Sequence, residues 1–273
     1  GRVEWTLTRD GKTILSGSQD VSVKPGEELP VKISGKIPSV APWTAEIPNL
    51  YRFDVQMNGE KIGTEIGFRK VEIGPQFQLL VNGKEVLLKG VNRHDAHPDY
   101  GRAVPRSVIE QDLTMMKKNN INTLRTSHYP NDPYLYELCN KLGLYLVAEA
   151  NLECHGWTKP LTDPAWEQTF VERNLNHFHR VKNNTAIIFW SLGNENGWHG
   201  DRDNLASASK AIRALDDTRL IHACEFFDLD YDAVDMGSTM YPDMKWLHDT
   251  GNNGKKKPFF VCEYAHAMGN AMG

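Results

Sequence analysis

The stretch Ile187-Ile-Phe-Trp-Ser-Leu-Gly-Asn-Glu-Asn196 carries the strongest structural signal in this sequence. Its first residues are almost continuously apolar, which predicts a strand buried on both faces, because a strand with a solvent face alternates apolar and polar side chains. The stretch then becomes polar and glycine-rich at Gly193 to Gly197. A carboxylate between two amides at the mouth of a buried strand is costly to desolvate, so Glu195 is the first candidate for chemistry.

A second strand of the same kind, Pro258-Phe-Phe-Val-Cys262, leads directly into Glu263. Two glutamates that each close a hydrophobic strand are what glycoside hydrolysis requires, namely a carboxylic acid for the leaving oxygen and a carboxylate for the anomeric carbon. Each also has a plainer interpretation. Glu195 could cap a helix or loop, and Glu263 could form a structural ion pair with Arg125.

Short apolar runs upstream extend this pattern to seven strands that alternate with helices. The predicted strands are residues 88–93, 122–127, 144–150, 187–192, 220–224, 234–238 and 259–262. Strands and helices in this alternation predict a (β/α)8 TIM barrel that lacks its last strand. Helix starts are predicted at a capping box of Ser107 and Glu110, and at Asp132-Pro133 and Asp163-Pro164.

Residues 1–73 show a different pattern, in which apolar and polar side chains alternate. The alternating segments are Val3-x-Trp5-x-Leu7, Val21-x-Val23, Leu29-x-Val31-x-Ile33, Tyr51-x-Phe53-x-Val55-x-Met57 and Val71-x-Ile73. Turn signals at Asp10-Gly11, Pro25-Gly26 and Asn58-Gly59 separate them. Short alternating strands at this spacing predict a β-sandwich. The change of pattern near Gly74-Pro75 places the domain boundary there.

Active sites of TIM barrels form at the carboxyl ends of the strands, so the residues after each predicted strand are the candidate site. Almost all of them are ionisable or hydrogen-bonding: His94, Asp95, His97, Arg125, His128, Glu149, Glu153, His155, Asn194, Glu195, Tyr241, Glu263 and His266. This set predicts a polar sugar pocket rather than a structural face. Taken singly, each histidine is more often a satisfied half-buried side chain, and Tyr241 more often a packing aromatic residue.

Four motifs on these residues resemble those of the β-galactosidases among the family 2 glycoside hydrolases. They are Gly193-Asn-Glu-Asn-Gly197, Cys262-Glu-Tyr-Ala-His-Ala-Met-Gly-Asn270, Gly90-Val-Asn-Arg-His-Asp-Ala-His-Pro98 and Thr126-Ser-His-Tyr-Pro130. The resemblance covers most of the chain from Leu88 onwards. It implies a retaining hydrolase that cleaves terminal β-D-galactosides of the lactose type through a covalent glycosyl-enzyme intermediate.

The resemblance also implies a domain organisation. Residues 1–73 are expected to be an N-terminally incomplete immunoglobulin-like β-sandwich, and residues 74–273 a C-terminally incomplete TIM-barrel catalytic domain. Full-length members of this family carry further domains, and a barrel without its eighth strand has two open edges. We therefore expect a fragment of a longer, homo-oligomeric enzyme, with low or no activity and poor stability on its own.

Residue roles follow from the same resemblance. Glu263 is implied to be the nucleophile, Glu195 the acid/base, and Asn194 the residue that binds the sugar 2-hydroxyl. The other residues implied to bind substrate are His94, His128, His266, Tyr241 and Arg125, with the charge of Arg125 keeping Glu263 ionised.

Mg2+ is the metal that the resemblance implies, held by Glu153, His155 and Glu195. The residues alone give a weaker signal, because Glu153-Cys-His155 on an extended segment offers only two ligands on one side. His155 could instead cap its loop. The resemblance also allows a Na+ ion, whose ligands the sequence does not identify.

Two alternatives stay open at this point. A β-glucuronidase or β-mannosidase could use the same scaffold, and the chain could also be an inactive carbohydrate-binding fragment. Asn196 and the Ala-His-Ala-Met-Gly-Asn run after Tyr264 favour galactosides. No Arg/Lys cluster in the sequence is dedicated to a uronate carboxylate.

Composition limits the partners. The net charge is −4, and Lys255-Lys-Lys257, interpreted as a solvated loop, is the only basic cluster, so neither nucleic acid nor a membrane surface is predicted as a partner. The sequence contains neither a signal-peptide pattern nor an apolar run of about 20 residues, which favours a cytoplasmic location. The chain begins inside a strand pattern, so a leader upstream is still allowed.

The four cysteines, which include Cys154, show no CxxC spacing and are predicted to be free thiols. A packed, reduced Cys154 is preferred over a nucleophile or metal ligand.

Overall fold

The structure is a computed structural model that describes residues 1–197, 202–225, 231–252 and 257–266. The chain divides into two compact units, Gly1–Arg69 and Lys70–Gly273. Residues 267–270 of the last family-like motif lie outside the described residues, as do Lys255 and Lys256. The sequence predicts Lys257 in a solvated loop, which is wrong, because its Nζ donates to the carbonyls of Tyr231 and Val234, at 2.6 and 2.8 Å.

The first unit contains an antiparallel sheet of four strands in the order β2-β1-β3-β4. The strands are β1 (Arg2–Arg9), β2 (Lys12–Asp20), β3 (Tyr51–Met57) and β4 (Glu60–Ile66). The predicted turns at Asp10-Gly11 and Asn58-Gly59 are confirmed as the hairpin loops of this sheet. All four of these residues have positive φ, which two-residue hairpin loops of this type require.

The strands predicted around Val23 and at residues 29–33 are wrong. Residues 21–50, all of them described, form only an isolated bridge between Trp43 and Pro48. Pro30 interrupts the second segment, because proline cannot donate a hydrogen bond to a neighbouring strand. Val23 and Leu29 are 47% and 49% exposed, so the alternation of residue types does not correspond to a buried face.

The second unit begins with a small antiparallel sheet of β5 (Val71–Ile73), β6 (Leu79–Val81) and β7 (Lys84–Glu85). The barrel strands follow: β8 (Gly90–Arg93), β9 (Thr123–Thr126), β10 (Tyr145–Glu149), β11 (Ile187–Ser191), β12 (Leu220–His222), β13 (Gly237–Met240) and β14 (Phe259–Glu263). Strands β8 to β12 form one parallel sheet in chain order, and β13 and β14 form a second. The seven predicted strands are therefore present. The sixth begins at Gly237 rather than at residue 234, because Asp235 is hydrogen-bonded through its amide and its carboxylate to Ile221.

The helices of this unit are α1 (Arg106–Lys118), α2 (Pro133–Leu142), α3 (Glu167–Val181), α4 (Asp203–Arg213) and α5 (Met244–Asn252). The predicted caps Asp132 and Asp163 are confirmed, the second at a short 3₁₀ turn that leads into α3. The predicted capping box at Ser107 is wrong, because Pro105 is the N-cap and Ser107 lies inside the first turn. Among the described helices, none is long and apolar enough to cross a bilayer.

Strand register brings particular side chains together at the carboxyl ends of β10, β11 and β12. Glu149 is the Cα partner of Ser191, and Ser191 is the partner of His222. Nearer the amino ends of the strands, Arg125 of β9 pairs with Asn92 of β8. Paired residues on neighbouring strands point to the same face of a sheet. The register therefore places Glu149, Ser191 and His222 in one row.

Candidate active site

Glu263 ends β14, and three side chains approach its carboxylate. Arg125 Nη1 donates to Oε1 at 3.0 Å, and His128 Nε2 lies 3.6 Å from the same oxygen. The Tyr241 hydroxyl donates to Oε2. The Glu263 side chain is only 12% exposed. The ion pair between Arg125 and Glu263 is thus one contact in a larger group, and both carboxylate oxygens have a hydrogen-bond donor.

Arg125 is the central cation of this group and is buried, with 2% of its side chain exposed. Its Nε donates to Glu149 Oε2 at 2.8 Å, and its Nη2 donates to Asn194 Oδ1 at 2.8 Å. Burial disfavours the charged guanidinium and is the largest single effect, but the charge of Glu149, the hydrogen bond to it and other neighbouring groups together outweigh burial and raise the pKa of Arg125. One side chain therefore links the carboxyl ends of β9, β10, β11 and β14.

Glu195 follows Asn194 in an uncommon backbone conformation, with φ of 40°. Tyr241 also has positive φ, at 47°. Non-glycine residues rarely adopt this region, and the surrounding structure must hold them there. The preceding residue, Asn194, supplies that restraint for Glu195, because the backbone N–H of Asn194 donates to the Leu152 carbonyl at 2.8 Å. The Glu195 side chain is 23% exposed, so a ligand can reach its carboxylate.

The residues predicted to hold a metal are only partly assembled. His155 Nδ1 contacts Glu195 Oε2, and Glu153 joins them through a backbone bridge to Asn194. Within the described part of the chain, no group of three His, Cys, Asp or Glu side chains is arranged to hold a metal ion. Two carboxylates and an imidazole suit a divalent cation chemically. The structure brings two of these three side chains into contact.

A cavity of about 350 Å³ lies beside these residues. Its lining includes Glu153, His155 and the indole rings of Trp157 and Trp166. The His155 side chain is 70% exposed. A small ligand or ion can therefore reach His155 from solvent.

His94 and His266, the other residues predicted to bind substrate, lie near the Glu263 carboxylate. The ring of His94 lies 5.1 Å from that of His128, and its Nδ1 is 3.3 Å from the Tyr129 hydroxyl. Burial, followed by electrostatic interaction with His128, lowers the pKa of His94. His266 Nδ1 lies 3.2 Å from the Tyr241 hydroxyl. His94 and His266 thus contact the group around Glu263 through one intermediate side chain each.

The sequence places Glu149 among the strand-end residues without a specific role, and it assigns no role to Ser191, His222 or Tyr129. Glu149 contacts Arg125 and His128, and Tyr129 contacts His94. Ser191 contacts Glu149, and His222 contacts Ser191. Glu149 was visible as a carboxylate after a buried strand, the same signal that identified Glu195. Ser191 and His222 have no comparable signal, because each is a single polar residue in a buried strand. Only the register of the sheet shows that they adjoin Glu149.

All four cysteines are free and buried, which confirms the sequence prediction. Burial and then the charge of Glu153 raise the pKa of Cys154. A thiol that resists ionisation is a poor nucleophile. The preferred interpretation of Cys154 as a packing residue is consistent with this environment.

Comparison with known proteins places both units in one family. Residues 71–273 match the description "Glycosyl hydrolases family 2, TIM barrel domain", and residues 3–69 match "Glycosyl hydrolases family 2". A β-galactosidase of Pseudoalteromonas haloplanktis is 40% identical over 97% of this chain and 28% of that protein. A β-galactosidase of Kluyveromyces lactis is 38% identical, over 97% of this chain and 29% of that protein. The chain therefore spans less than a third of the length of either relative.

Solved structures of β-glucuronidases share the fold. One from Parabacteroides merdae, with glycerol in its active site, aligns with a TM-score of 0.76 and 25% identity over 95% of this chain and 34% of that chain. One from Ruminococcus gnavus, in complex with uronic isofagomine, aligns with a TM-score of 0.78 and 20% identity over 96% of this chain and 49% of that chain. The predicted fold class, a β-sandwich followed by a TIM barrel, is confirmed, and the chain belongs to the family 2 glycosyl hydrolases.

Proposed function

We propose that the protein containing this chain is a retaining β-galactosidase. The observation that carries the proposal is the environment of Glu263, whose two carboxylate oxygens are held by Arg125 and Tyr241 while His128 faces one of them. A nucleophilic carboxylate needs this fixed orientation, because the reacting oxygen must meet the anomeric carbon in line. Glu195, reachable from solvent beside Asn194, is the proposed acid/base.

The proposed reaction has two steps. An oxygen of Glu263 forms a bond to the anomeric carbon while Glu195 gives its proton to the leaving oxygen, which releases the aglycone. Glu195, now a carboxylate, then removes a proton from water, and the water oxygen displaces Glu263 from the sugar. This mechanism needs no space for water between the two carboxylates, so Glu195 and Glu263 are expected to be about 5 to 5.5 Å apart in the intact barrel.

Sugar hydroxyl groups would be bound by the polar side chains around Glu263. Asn194 is the proposed partner of the 2-hydroxyl, since Arg125 occupies its Oδ1 and leaves its amide nitrogen to face a ligand. His94, His128 and His266 would bind the other hydroxyls. We also propose that Mg2+ binds at Glu153, His155 and Glu195, where it would neutralise charge and orient Glu195. This chemistry fits the donor types, and the contact between His155 and Glu195 supports it.

The choice of galactose rests on relatedness and on charge. The two β-galactosidases named above are 40% and 38% identical to this chain over 97% of its length. Arg125, the buried cation beside Glu263, is already bonded to Glu149, Glu263 and Asn194. Each of its three nitrogens is therefore already bonded to a protein side chain, and only 2% of the Arg125 side chain is exposed. It is poorly placed to bind the carboxylate of a uronic acid, which favours a neutral sugar.

A β-glucuronidase is the second candidate because of one exposed cation. Arg102 stacks over the ring of Tyr129 at 4.3 Å, and the Tyr129 hydroxyl contacts His94. A guanidinium held over an aromatic ring that contacts His94 can bind a carboxylate through two donors. The solved β-glucuronidases that share this fold make this possibility worth testing directly.

The deciding experiment compares nitrophenyl β-galactoside, β-glucuronide and β-mannoside as substrates of the protein at its natural length. The expected result is highest kcat/KM on the galactoside, with Arg102→Ala leaving that value unchanged. Preference for the glucuronide, together with its loss in Arg102→Ala, would establish the second candidate. No hydrolysis of any glycoside would refute the proposed function and favour a carbohydrate-binding role.

A further inference from the structure

The Glu149 carboxylate is completely buried and contacts two of the three side chains that approach the Glu263 carboxylate. Its Oε2 accepts from Arg125 Nε at 2.8 Å, and its Oε1 accepts from His128 Nδ1 at 2.8 Å. We propose that Glu149 is a positioning residue, which fixes Arg125 and His128 so that both face the same oxygen of Glu263. This inference rests on the proposed function, in which Glu263 is the nucleophile.

The geometry leaves Arg125 and His128 little freedom. With Nε tied to Glu149, the two other nitrogens of the planar Arg125 guanidinium reach Glu263 and Asn194, at 3.0 and 2.8 Å. With Nδ1 of His128 tied to Glu149, the opposite ring nitrogen lies 3.6 Å from Glu263 Oε1. One carboxylate thus sets the orientation of a guanidinium plane and of an imidazole ring at the same time.

Glu149 is ionised, although it is buried. Burial by itself raises the pKa of a carboxyl group, but the charge of Arg125 and the hydrogen bonds from His128 and Ser191 lower the pKa of Glu149 to about 2. An ionised carboxylate only accepts hydrogen bonds. The His128 Nδ1 must therefore carry a hydrogen atom and donate a hydrogen bond to Glu149. This hydrogen bond fixes the tautomer of a ring that faces the nucleophile.

A series of hydrogen bonds through Ser191 and His222 also holds Glu149 in place. Ser191 Oγ donates to Glu149 Oε2 at 2.7 Å and lies 2.8 Å from His222 Nδ1. Because the single hydroxyl proton of Ser191 points to the carboxylate, His222 Nδ1 must donate to the Ser191 oxygen. His222 Nε2 lies 2.9 Å from Ser238 Oγ. This series of hydrogen bonds therefore connects β10, β11, β12 and β13. Each of its polar side chains has a hydrogen-bond partner, as a rigid buried network requires.

The competing interpretation is that Glu149 only stabilises the fold, as many buried ion pairs do. The protein contains a matched example in Asp216, which is buried and accepts from Trp190 Nε1 at 2.9 Å and from Arg219 Nη1 at 2.6 Å. Burial raises the pKa of Asp216, but Arg219 and the hydrogen bonds lower it to about 2. Asp216 precedes β12, at the amino end of the strand and away from the candidate site. Asp216→Asn therefore reproduces the loss of a buried charge without disturbing the nucleophile.

The test measures how fast Glu263 reacts. A fluorosugar inactivator of the glycoside that the wild-type protein hydrolyses traps the glycosyl-enzyme, and intact-mass spectrometry follows its formation in the protein at its natural length. Glu149→Gln keeps the shape and removes the charge, whereas Glu149→Asp keeps the charge but is one methylene shorter. Calorimetry gives the Kd of the free product sugar, and thermal unfolding gives Tm for each variant.

The expected result separates reactivity from binding and stability. Glu149→Gln slows labelling by about 100-fold, the order seen when one preorganised donor is lost. Glu149→Asp slows it by about tenfold, because a shortened carboxylate cannot reach Arg125 and His128 together. The Kd of the product sugar changes less than about threefold, and Asp216→Asn labels at the wild-type rate despite its lower Tm.

Two results would overturn the positioning role: a Glu149→Gln variant that labels within about threefold of wild type, or an Asp216→Asn variant that slows as much at the same loss of Tm. If Glu149→Gln does not fold, Glu149→Asp decides, and a wild-type labelling rate in that variant contradicts the proposal. A wild-type protein that is neither active nor labelled would instead refute the proposed hydrolase itself, before any variant is compared.

Discussion

Tyr241 is joined to Glu263 twice: its amide donates to the Glu263 carbonyl at 2.7 Å, and its hydroxyl donates to the Glu263 carboxylate. The register of β13 and β14 explains why. Thr239 pairs with Val261 but Met240 pairs with Glu263, so β14 contains one extra residue at Cys262. A bulge of this kind redirects the side chain that follows it. The strand irregularity thus brings the proposed nucleophile to a tyrosine on the neighbouring strand.

Removing the Tyr241 hydroxyl is expected to lower kcat. In Tyr241→Phe the ring remains, but Glu263 Oε2 loses its donor, and kcat should fall by about 100-fold, as for other single preorganised donors. Steady-state kinetics on the best nitrophenyl glycoside would measure it. Tyr134→Phe is the matched control, because the Tyr134 hydroxyl donates to Glu110 on the surface. Equal kcat in Tyr241→Phe and the control would remove Tyr241 from the site.

The positions of the catalytic candidates could be predicted because a simple rule applies to them. Glu195 and Glu263 each follow a continuous apolar strand, and the carboxyl ends of parallel strands form one face. Arg125 lies at the carboxyl end of β9, and His128 follows that strand. The rule therefore predicts one site from side chains in separate parts of the chain, without reference to their contacts.

Other features could not be predicted because they depend on pairing between distant segments. The roles of Ser191 and His222 follow from the register of β10, β11 and β12, which the composition of a buried strand does not specify. The wrong strand prediction in the first unit has the same cause, because it too depends on pairing with a distant segment. The alternation at residues 29–33 resembles a strand, but Pro30 removes a donor there and no partner strand forms.

Chelation is expected to lower activity, and Mg2+ is expected to restore it. His155 is exposed and contacts Glu195, so an ion bound there is accessible to a chelator. Activity on the preferred glycoside should be measured after EDTA treatment and after addition of Mg2+. His155→Ala should lose most of this response, whereas His248→Ala, exposed on α5, should keep it. Activity that is indifferent to EDTA would exclude Glu153 and His155 as metal ligands.

Acid should destabilise the protein through His177, at pH values where most carboxylates stay charged. His177 is buried against Tyr136 and Trp190, and neither ring nitrogen has a hydrogen-bond partner among the described residues. Burial, followed by the charge of Arg180, lowers the pKa of His177 from 6.5 to about 3. Between these values the unfolded chain binds a proton that the folded chain does not, so stability falls as the pH decreases below 6.5.

The slope of stability against pH identifies His177 as the group that is protonated on unfolding. In denaturant unfolding between neutral pH and about pH 5, the wild-type protein should lose up to about 1.4 kcal/mol of stability per pH unit more than His177→Leu does. His179→Leu, at an exposed position of the same helix, should keep the wild-type slope. An unchanged slope in His177→Leu would mean that another group is protonated on unfolding.

Substitution of Glu195 should have an effect that depends on the leaving group. A dinitrophenolate leaves without a proton, whereas the sugar alkoxide released from lactose needs one, so Glu195→Gln should slow glycosylation by lactose by about 100-fold or more and spare the activated substrate. With the dinitrophenyl glycoside a rapid burst should precede slow turnover, because the second step still lacks its base. Stopped-flow absorbance measures the burst directly. Glu263→Gln should show no burst with any substrate, and Glu137→Gln, exposed on α2, should behave as wild type. Equal losses on both substrates in Glu195→Gln would show that Glu195 is not the acid, since only proton donation makes the rate depend on the leaving group in this way.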